Sequence, residues 1–296
     1  MFDLRYHVAS LAAVFFALVI GILVGVALAS HGLGNTERDR LQEDLRRADN
    51  RADALSAQLE VLGNASQADE AFVEKTYNVV MENRLKGARI AVLFVGSRDA
   101  ELESEIKAVL RDAGAAPLLR TRAIEVPVNE EALTKRLSNR PVLAAYAGER
   151  KLHDLGQALG QEFVTGVETP LWNALQSLLV GEQHGATKPP ADGVIVARTV
   201  EAQMGPTARL LSGLYAGLRD AGVPVIGVES SDDGDSAMKS FQKAQLSTVD
   251  DIDLPVGKLA LAVLLSDPTA EGDYGTKDTA DDVLPTVPLT TTTTGG

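Results

Sequence analysis

From Val8 to Ser30 the chain carries no charged side chain, and nearly every residue is Ala, Val, Leu, Ile, Phe or Gly. As a helix this run spans about 33 Å, at about 1.5 Å per residue, enough to cross a hydrocarbon core of about 30 Å. A helix that is apolar all round needs lipid or a large core around it, and the stretch that follows is strongly charged. An Ala-x-Ala triplet, Ala27-Leu28-Ala29, offers a signal-peptidase site that would leave a mature chain beginning at Ser30. A secretory apolar core, however, is about 7 to 15 residues long and follows a basic leader. Here only Asp3 and Arg5 carry side-chain charge before the run. Length therefore points to a retained transmembrane helix over 8–30, with 1–7 as its N-terminal cap. Gly21 and Gly25 form a GxxxG pair, a spacing that lets two transmembrane helices approach closely. The general frequency of Gly in such helices explains the pair equally well.

Charge leaves the orientation open. Arg5 and the terminal amine stand on one side, Arg38, Arg40, Arg46 and Arg47 on the other. That count favours a cytoplasmic body, but long domains translocate largely regardless of it.

Beyond Gly32-Leu33-Gly34, which reads as a hinge through Asn35, a second periodicity begins. Leu41, Leu45, Ala48, Ala52, Leu55, Leu59 and Leu62 alternate at spacings of four and three. The mean of about 3.5 residues is the heptad period of a left-handed coiled coil. Leu45, Ala52 and Leu59 take position a; Leu41, Ala48, Leu55 and Leu62 take position d. Thr36 is a candidate N-cap, with Asp39 three residues on in the place of the capping-box acid. These features predict a helical coiled-coil stalk over 36–86. Gly63-Asn64 reads as a break. The apolar stripe Phe72, Val73, Thr76, Tyr77, Val80 and Leu85 then permits a second reading, a helical hairpin within the chain.

From Arg89 the texture changes. The run "RIAVLFV" is apolar throughout and reads as a strand buried on both faces, followed by a helix in "DAELESEIKAVLRDAGA". The same grammar recurs in "DGVIVARTV" before "PTARLLSGLYAGLRDAG", in "VPVIGVES" before "GDSAMKSFQKA", and in "QLSTV" before "PVGKLALAVLL". Helical stretches lie between, around "RKLHDLGQALGQEFV" and "TPLWNALQSLLV". Apolar runs alternating with amphipathic helices predict βαβ units and a Rossmann-like parallel sheet over 87–268. The fold class is therefore α/β, behind a transmembrane helix and a stalk. The polar, Pro- and Thr-rich segment 269–296 reads as a largely disordered tail, at least after Pro288.

Composition narrows the chemistry. A net charge of −13 argues against nucleic acid and against a surface that lies on anionic lipid. No Cys is present, which removes disulfides and thiolate metal sites. Met1, Met81, Met204 and Met238 are far apart in sequence, so no thioether cluster for a soft metal is visible. In a doubly wound sheet the ligand crevice lies beyond the carboxyl ends of the strands. Those ends are Gly96-Ser97-Arg98-Asp99, Arg198-Thr199, Glu229 to Asp233 and Asp250-Asp251. No GxGxxG or GxxxxGK[ST] follows any strand. Asp232, Asp233 and Asp235 around Gly234 could hold a hard cation, but read better as a solvated turn capping the next helix. No Gly-x-Ser-x-Gly elbow occurs, and His153 and His184 stand alone. Trp172, the only Trp, reads as a packing residue. No catalytic residue, cofactor or metal ligand is assigned, and the chain is expected not to be an enzyme.

The opening "MFDLRYHVASLAAVFFALVIGILVG", with Asp3-Leu4-Arg5-Tyr6-His7 directly before the span, resembles the N-terminus of the actinobacterial MctB family of copper-transport outer-membrane proteins. "TVDDIDLPVGKLALAVLL" followed by "GDYGTKDTADDVLP" is similar to that family's C-terminal end, so the likeness brackets the chain from Met1 to about Pro285. The resemblance implies a single-span envelope protein with its body outside the cytoplasm. It also implies a role in copper homeostasis or efflux, and links to septation through an operon partner and peptidoglycan hydrolases. An outer-membrane pore needs a closed barrel of repeated strands, whereas the strands visible here suit a buried sheet. Three functions follow as expectations. The first is an envelope scaffold or regulator whose partners are the bilayer and a homo-oligomeric or heteromeric coiled-coil partner. The second is an oligomeric copper channel component. The third is a carboxylate-metal enzyme at the sheet edge.

Overall fold

The computed structural model describes residues 4–186, 188–232 and 234–287, without the side chains of 4–9, 29–36, 70 and 74. Two compact units emerge, 1–70 and 71–296.

The first unit is helical. Helix α1, Leu4–Met81, contains the apolar run, of which Ser10–Leu28 has a mean hydropathy of 2.9 and is exposed. The expected hinge at 32–35 does not occur: backbone hydrogen bonding is helical through Gly32-Leu33-Gly34. Nor does Gly63-Asn64 break the helix, and with no turn there the hairpin reading falls. A Gly inside a helix costs only about 1 kcal/mol relative to Ala, which the flanking turns absorb. The Thr36 side chain lies outside the described residues, and with the helix already running at that point it starts nothing.

The second unit is an α/β sandwich. Its strands are β1 (Ile90–Val95), β2 (Arg120–Ile124), β3 (Val180–Gly185), β4 (Gly193–Arg198), β5 (Val225–Val228), β6 (Ser247–Val249) and β7 (Asp273–Tyr274). They form one sheet in the order β3-β2-β1-β4-β5-β6-β7, parallel except for β3, which runs antiparallel at the edge. β1 and β4 are the central pair, with Val92 opposite Ile195 and Phe94 opposite Ala197. Alternate residues of β1 face opposite cores. Ala91, Leu93 and Val95 join one buried cluster and Ile90, Val92 and Phe94 the other. That two-sided burial is why the run is apolar at every position rather than every second one.

Helices α3 (Glu130–Ser138), α4 (Leu152–Thr165), α5 (Pro170–Leu179), α6 (Gly205–Arg219) and α7 (Met238–Lys243) contribute to the first cluster. Helices α2 (Ala100–Asp112) and α8 (Pro255–Ser266) contribute to the second. The second also takes Met81 and Leu85, with Tyr77 packed against it and bonded to Asp112 at 3.2 Å. The stripe from Phe72 to Leu85 thus divides: Phe72 is exposed, while its C-terminal members belong to the head.

Helices α4 and α6 meet backbone to backbone. A Cβ added to Gly213 would lie 2.0 Å from the His153 carbonyl oxygen, and one on Gly217 would lie 1.9 Å from that of Gln157. Gly156 and Gly160 face Leu210 and Leu214 in the same way, at 2.1 and 2.4 Å. Glycine at four-residue spacing on both helices removes the side chains that would hold the axes apart.

The stretch read as a disordered tail from 269 is ordered as far as it is described, to 287. β7 adds a strand beyond β6, Leu284 packs on the second cluster, and Thr279 accepts from Gln242 at 2.8 Å. Polar composition concealed this because the segment is held by backbone pairing and by buried carboxylates of the sheet. Residues 288–296 lie outside the described residues.

Candidate functional site

Two places could carry function: the carboxyl edge of the sheet, where ligands bind in folds of this class, and the heptad stripe of α1.

At the sheet edge the topological switch lies between β1 and β4. Gly96, at φ +107°, ends β1 against β4's successors: an added Cβ would lie 2.6 Å from Thr199 Oγ1 and 2.6 Å from Val200 Cγ1. The Thr199 hydroxyl donates to the Ser97 carbonyl at 2.7 Å, drawing the two strand ends together. The N-terminus of α2 beside it is already capped, Asp99 accepting from the amides of Glu101 and Leu102 at 2.9 and 3.0 Å. Its first turn also carries Glu101 and Glu103, and buried Glu103 is bridged by Arg98 and by Lys107. A phosphate arriving here would meet carboxylates instead of free amides.

The ends of β5 and β6 hold the buried carboxylates Glu229, Asp250 and Asp251. Glu229 accepts from Lys277 Nζ and Ser236 Oγ, both at 2.7 Å, and from the Ala237 amide at 2.7 Å. Lys277, from the ordered C-terminal segment, also donates to the Ser230 carbonyl at 2.8 Å. Asp250 accepts from the Thr276 amide at 2.8 Å. Neither oxygen of Asp251 has a partner. Burial, reinforced by the charges of Asp250 and Asp253, pushes its carboxyl up to about 6, against the opposing pull of Lys277. The C-terminal segment thus fills this edge with its own ammonium group.

The acidic turn expected to cap α7 does not do so through its described aspartates. Asp232 and Asp235 are exposed, Asp233 lies outside the described residues, and it is Glu229 that accepts the amide before the helix. Arg198 lies beside the turn, donating to Ser240 Oγ and the Ser236 carbonyl and standing 3.7 Å from Asp235. Trp172 packs as expected, its indole N–H donating to the Leu159 carbonyl at 2.8 Å. His153 and His184 are exposed and apart. Among the described residues the sulfurs do not converge: Met81 and Met238 are buried in clusters on opposite faces of the sheet, and Met204 is exposed, while Met1 lies outside the described residues. Among the described residues no group of three or more His, Cys, Asp or Glu is placed to hold a metal ion.

The stripe is different. Leu41, Leu45, Leu55, Leu59 and Leu62 are 59–68% exposed, and Ala48 and Ala52 between them are exposed as well. Charged neighbours such as Glu43, Asp44 and Arg47 bond one another along the same helix. Gly21 and Gly25 have nothing within 4 Å of an added Cβ. Within the first unit, then, the predicted seam is a continuous apolar stripe that no described residue of that unit covers.

A family model described as "Copper transport outer membrane protein, MctB" matches residues 1–285, and the chain belongs to that family. No curated protein matches it.

Proposed function

We propose that this MctB-family envelope protein serves copper homeostasis as a non-enzymatic, single-span scaffold that acts by docking its heptad stripe onto another helix. The observation that carries the reading is the seam itself, five leucines more than half exposed at heptad spacing. Burying one leucine side chain stabilises by about 1.5–3 kcal/mol, so the five amount to about 7–15 kcal/mol before the cost of association. A globular head whose strand ends are filled by their own side chains, behind a helix long enough to anchor in lipid, suits assembly better than turnover. In this reading copper homeostasis depends on what the stalk assembles, and septal or envelope partners are the natural occupants of the seam.

The test is the double substitution Leu55→Asp and Leu59→Asp in full-length protein in detergent, with mass measured by light scattering. The same variant is crosslinked in intact envelopes beside the wild type. Two unpaired carboxylates in a buried seam disfavour association by several kcal/mol, so the wild-type assembly or crosslink disappears while the head stays folded. Retention of both the mass and the crosslinks in the variant rules out the seam as the contact.

A further inference from the structure

Strand β2 carries two arginines where the adjoining inner strand β1 carries Ala91 and Leu93. Arg120 and Arg122 are 2% and 4% exposed, on the side of the sheet that holds Ile124, Phe163 and Trp172. Arg120 has a structural explanation. Its Nη1 donates to the Phe163 carbonyl at 2.8 Å and its Nη2 to the Pro189 carbonyl, tying the end of α4 to the segment before β4. Arg122 has none of this. Its guanidinium lies over the Trp172 ring at 4.6 Å and beside Phe163 at 5.8 Å. Its Nη1 is buried without a hydrogen-bond partner, as is Nε of Arg120.

Among the described residues the carboxylate that acts on Arg122 is Glu162, and it is engaged elsewhere. Its oxygens accept from the Leu171 amide at 3.1 Å and the Trp172 amide at 3.1 Å, capping α5. Arg122 therefore faces a single, already bonded acid, while Arg120 beside it is held by carbonyls alone. A guanidinium offers five donors and cannot shed its charge. Burying it without an acceptor is among the most unfavourable arrangements a protein interior can hold. A methionine would fill the same space over Trp172 without that cost. Burial and the neighbouring Arg120 hold Arg122 down to about 10, Glu162 opposing them. The environment is thus positive and short of acceptors.

We propose that Arg122, with Arg120 beside it, forms a binding site for a small oxyanionic group, a carboxylate or a phosphate, seated against Trp172 on the head domain. The guanidinium fork matches either group through paired N–H donors. β2 lies one strand in from the sheet edge, and its two arginine side chains face the layer that carries Phe163 of α4 and Trp172 of α5. The site lies on the antiparallel side of the sheet, away from the switch between β1 and β4, so the absence of a nucleotide fingerprint has no bearing on it.

Trp172 is the only tryptophan and touches the proposed site, so its fluorescence reports on occupancy. Full-length protein in detergent is titrated with sodium phosphate, and separately with sodium acetate, against sodium chloride at matched ionic strength. The expected result is a saturable change in Trp172 emission and a rise in melting temperature with at least one oxyanion, absent with chloride. The stronger arm identifies the group as phosphate or carboxylate. Arg122→Met abolishes the saturable response while melting in chloride at or above the wild-type temperature. Arg122→Lys keeps the buried charge without the fork and weakens the response at least tenfold, which preserves the test if the Met variant does not fold. A wild-type response no different from chloride, or an undiminished response in the folded Met or Lys variant, overturns the proposal and leaves ordered water as the acceptor.

Discussion

Asp251 is a carboxylate that the fold holds at a disadvantage, and its replacement by Asn makes a quantitative prediction. The residue is fully buried at the end of β6, neither oxygen is bonded, and Gly257 of α8 packs so closely that a Cβ there would lie 2.3 Å from Oδ1. Its carboxyl sits at about 6, against about 3.9 for an unfolded Asp. The folded state therefore binds this proton more tightly than the unfolded state. The linked stabilisation is complete below about pH 4, is lost as pH rises from about 4 to about 6, and amounts to about 3 kcal/mol. Asn cannot ionise and keeps the same shape. Urea unfolding of the two full-length proteins, followed by Trp172 emission between pH 4 and pH 8, isolates the effect in the difference between their stabilities. Any constant offset from the amide drops out of that comparison. The stability of Asp251→Asn relative to wild type should climb by about 3 kcal/mol from about pH 4 to about pH 7 and then level off. A difference that stays flat across the range, or grows toward acid pH, refutes the assignment of this carboxyl as buried and unpartnered.

Other substitutions examine the packing. Gly217→Ala on α6 would normally gain helix propensity of about 1 kcal/mol. Here its Cβ would meet the Gln157 carbonyl at 1.9 Å, so the head should lose about 1–3 kcal/mol and melt several degrees lower. Gly63→Ala in α1 has open space around it and should raise helicity by circular dichroism. Lys277→Met strands the buried Glu229 carboxylate and should cost about 3 kcal/mol in denaturant unfolding. Adding Glu229→Gln should recover most of that loss, because the penalty belongs to the unpaired charge.

Much of the architecture was legible because hydrophobic pattern reports burial directly. The run Ile90 to Val95 could only be a strand covered on both faces, and α2, α6 and α8 followed from their amphipathic or apolar spacing. β2 was not legible, since Arg120, Thr121 and Arg122 are polar although all three are buried. β3 was missed for the opposite reason, as an exposed edge strand with little apolar content. The segment from 269 to 287 looked disordered because its attachment runs through β7 and through Lys277, whose acceptor Glu229 is 48 residues away. Of the candidate sites, the heptad stripe could be read off at once. The buried arginine pair could not, because an arginine in a strand looks like a solvent-facing residue until the fold covers it.

The linear order of residues determined by itself the membrane-length apolar helix, the heptad stripe and the α/β class, since each is a periodicity along a single element and needs no knowledge of neighbours. Only the tertiary structure decided which charges are buried and which glycines touch a backbone: Arg122 over Trp172, Asp251 against Gly257, and Lys277 closing the sheet edge. Desolvation and close approach are properties of what surrounds a group, and here the surroundings are supplied by residues tens of positions away in the chain.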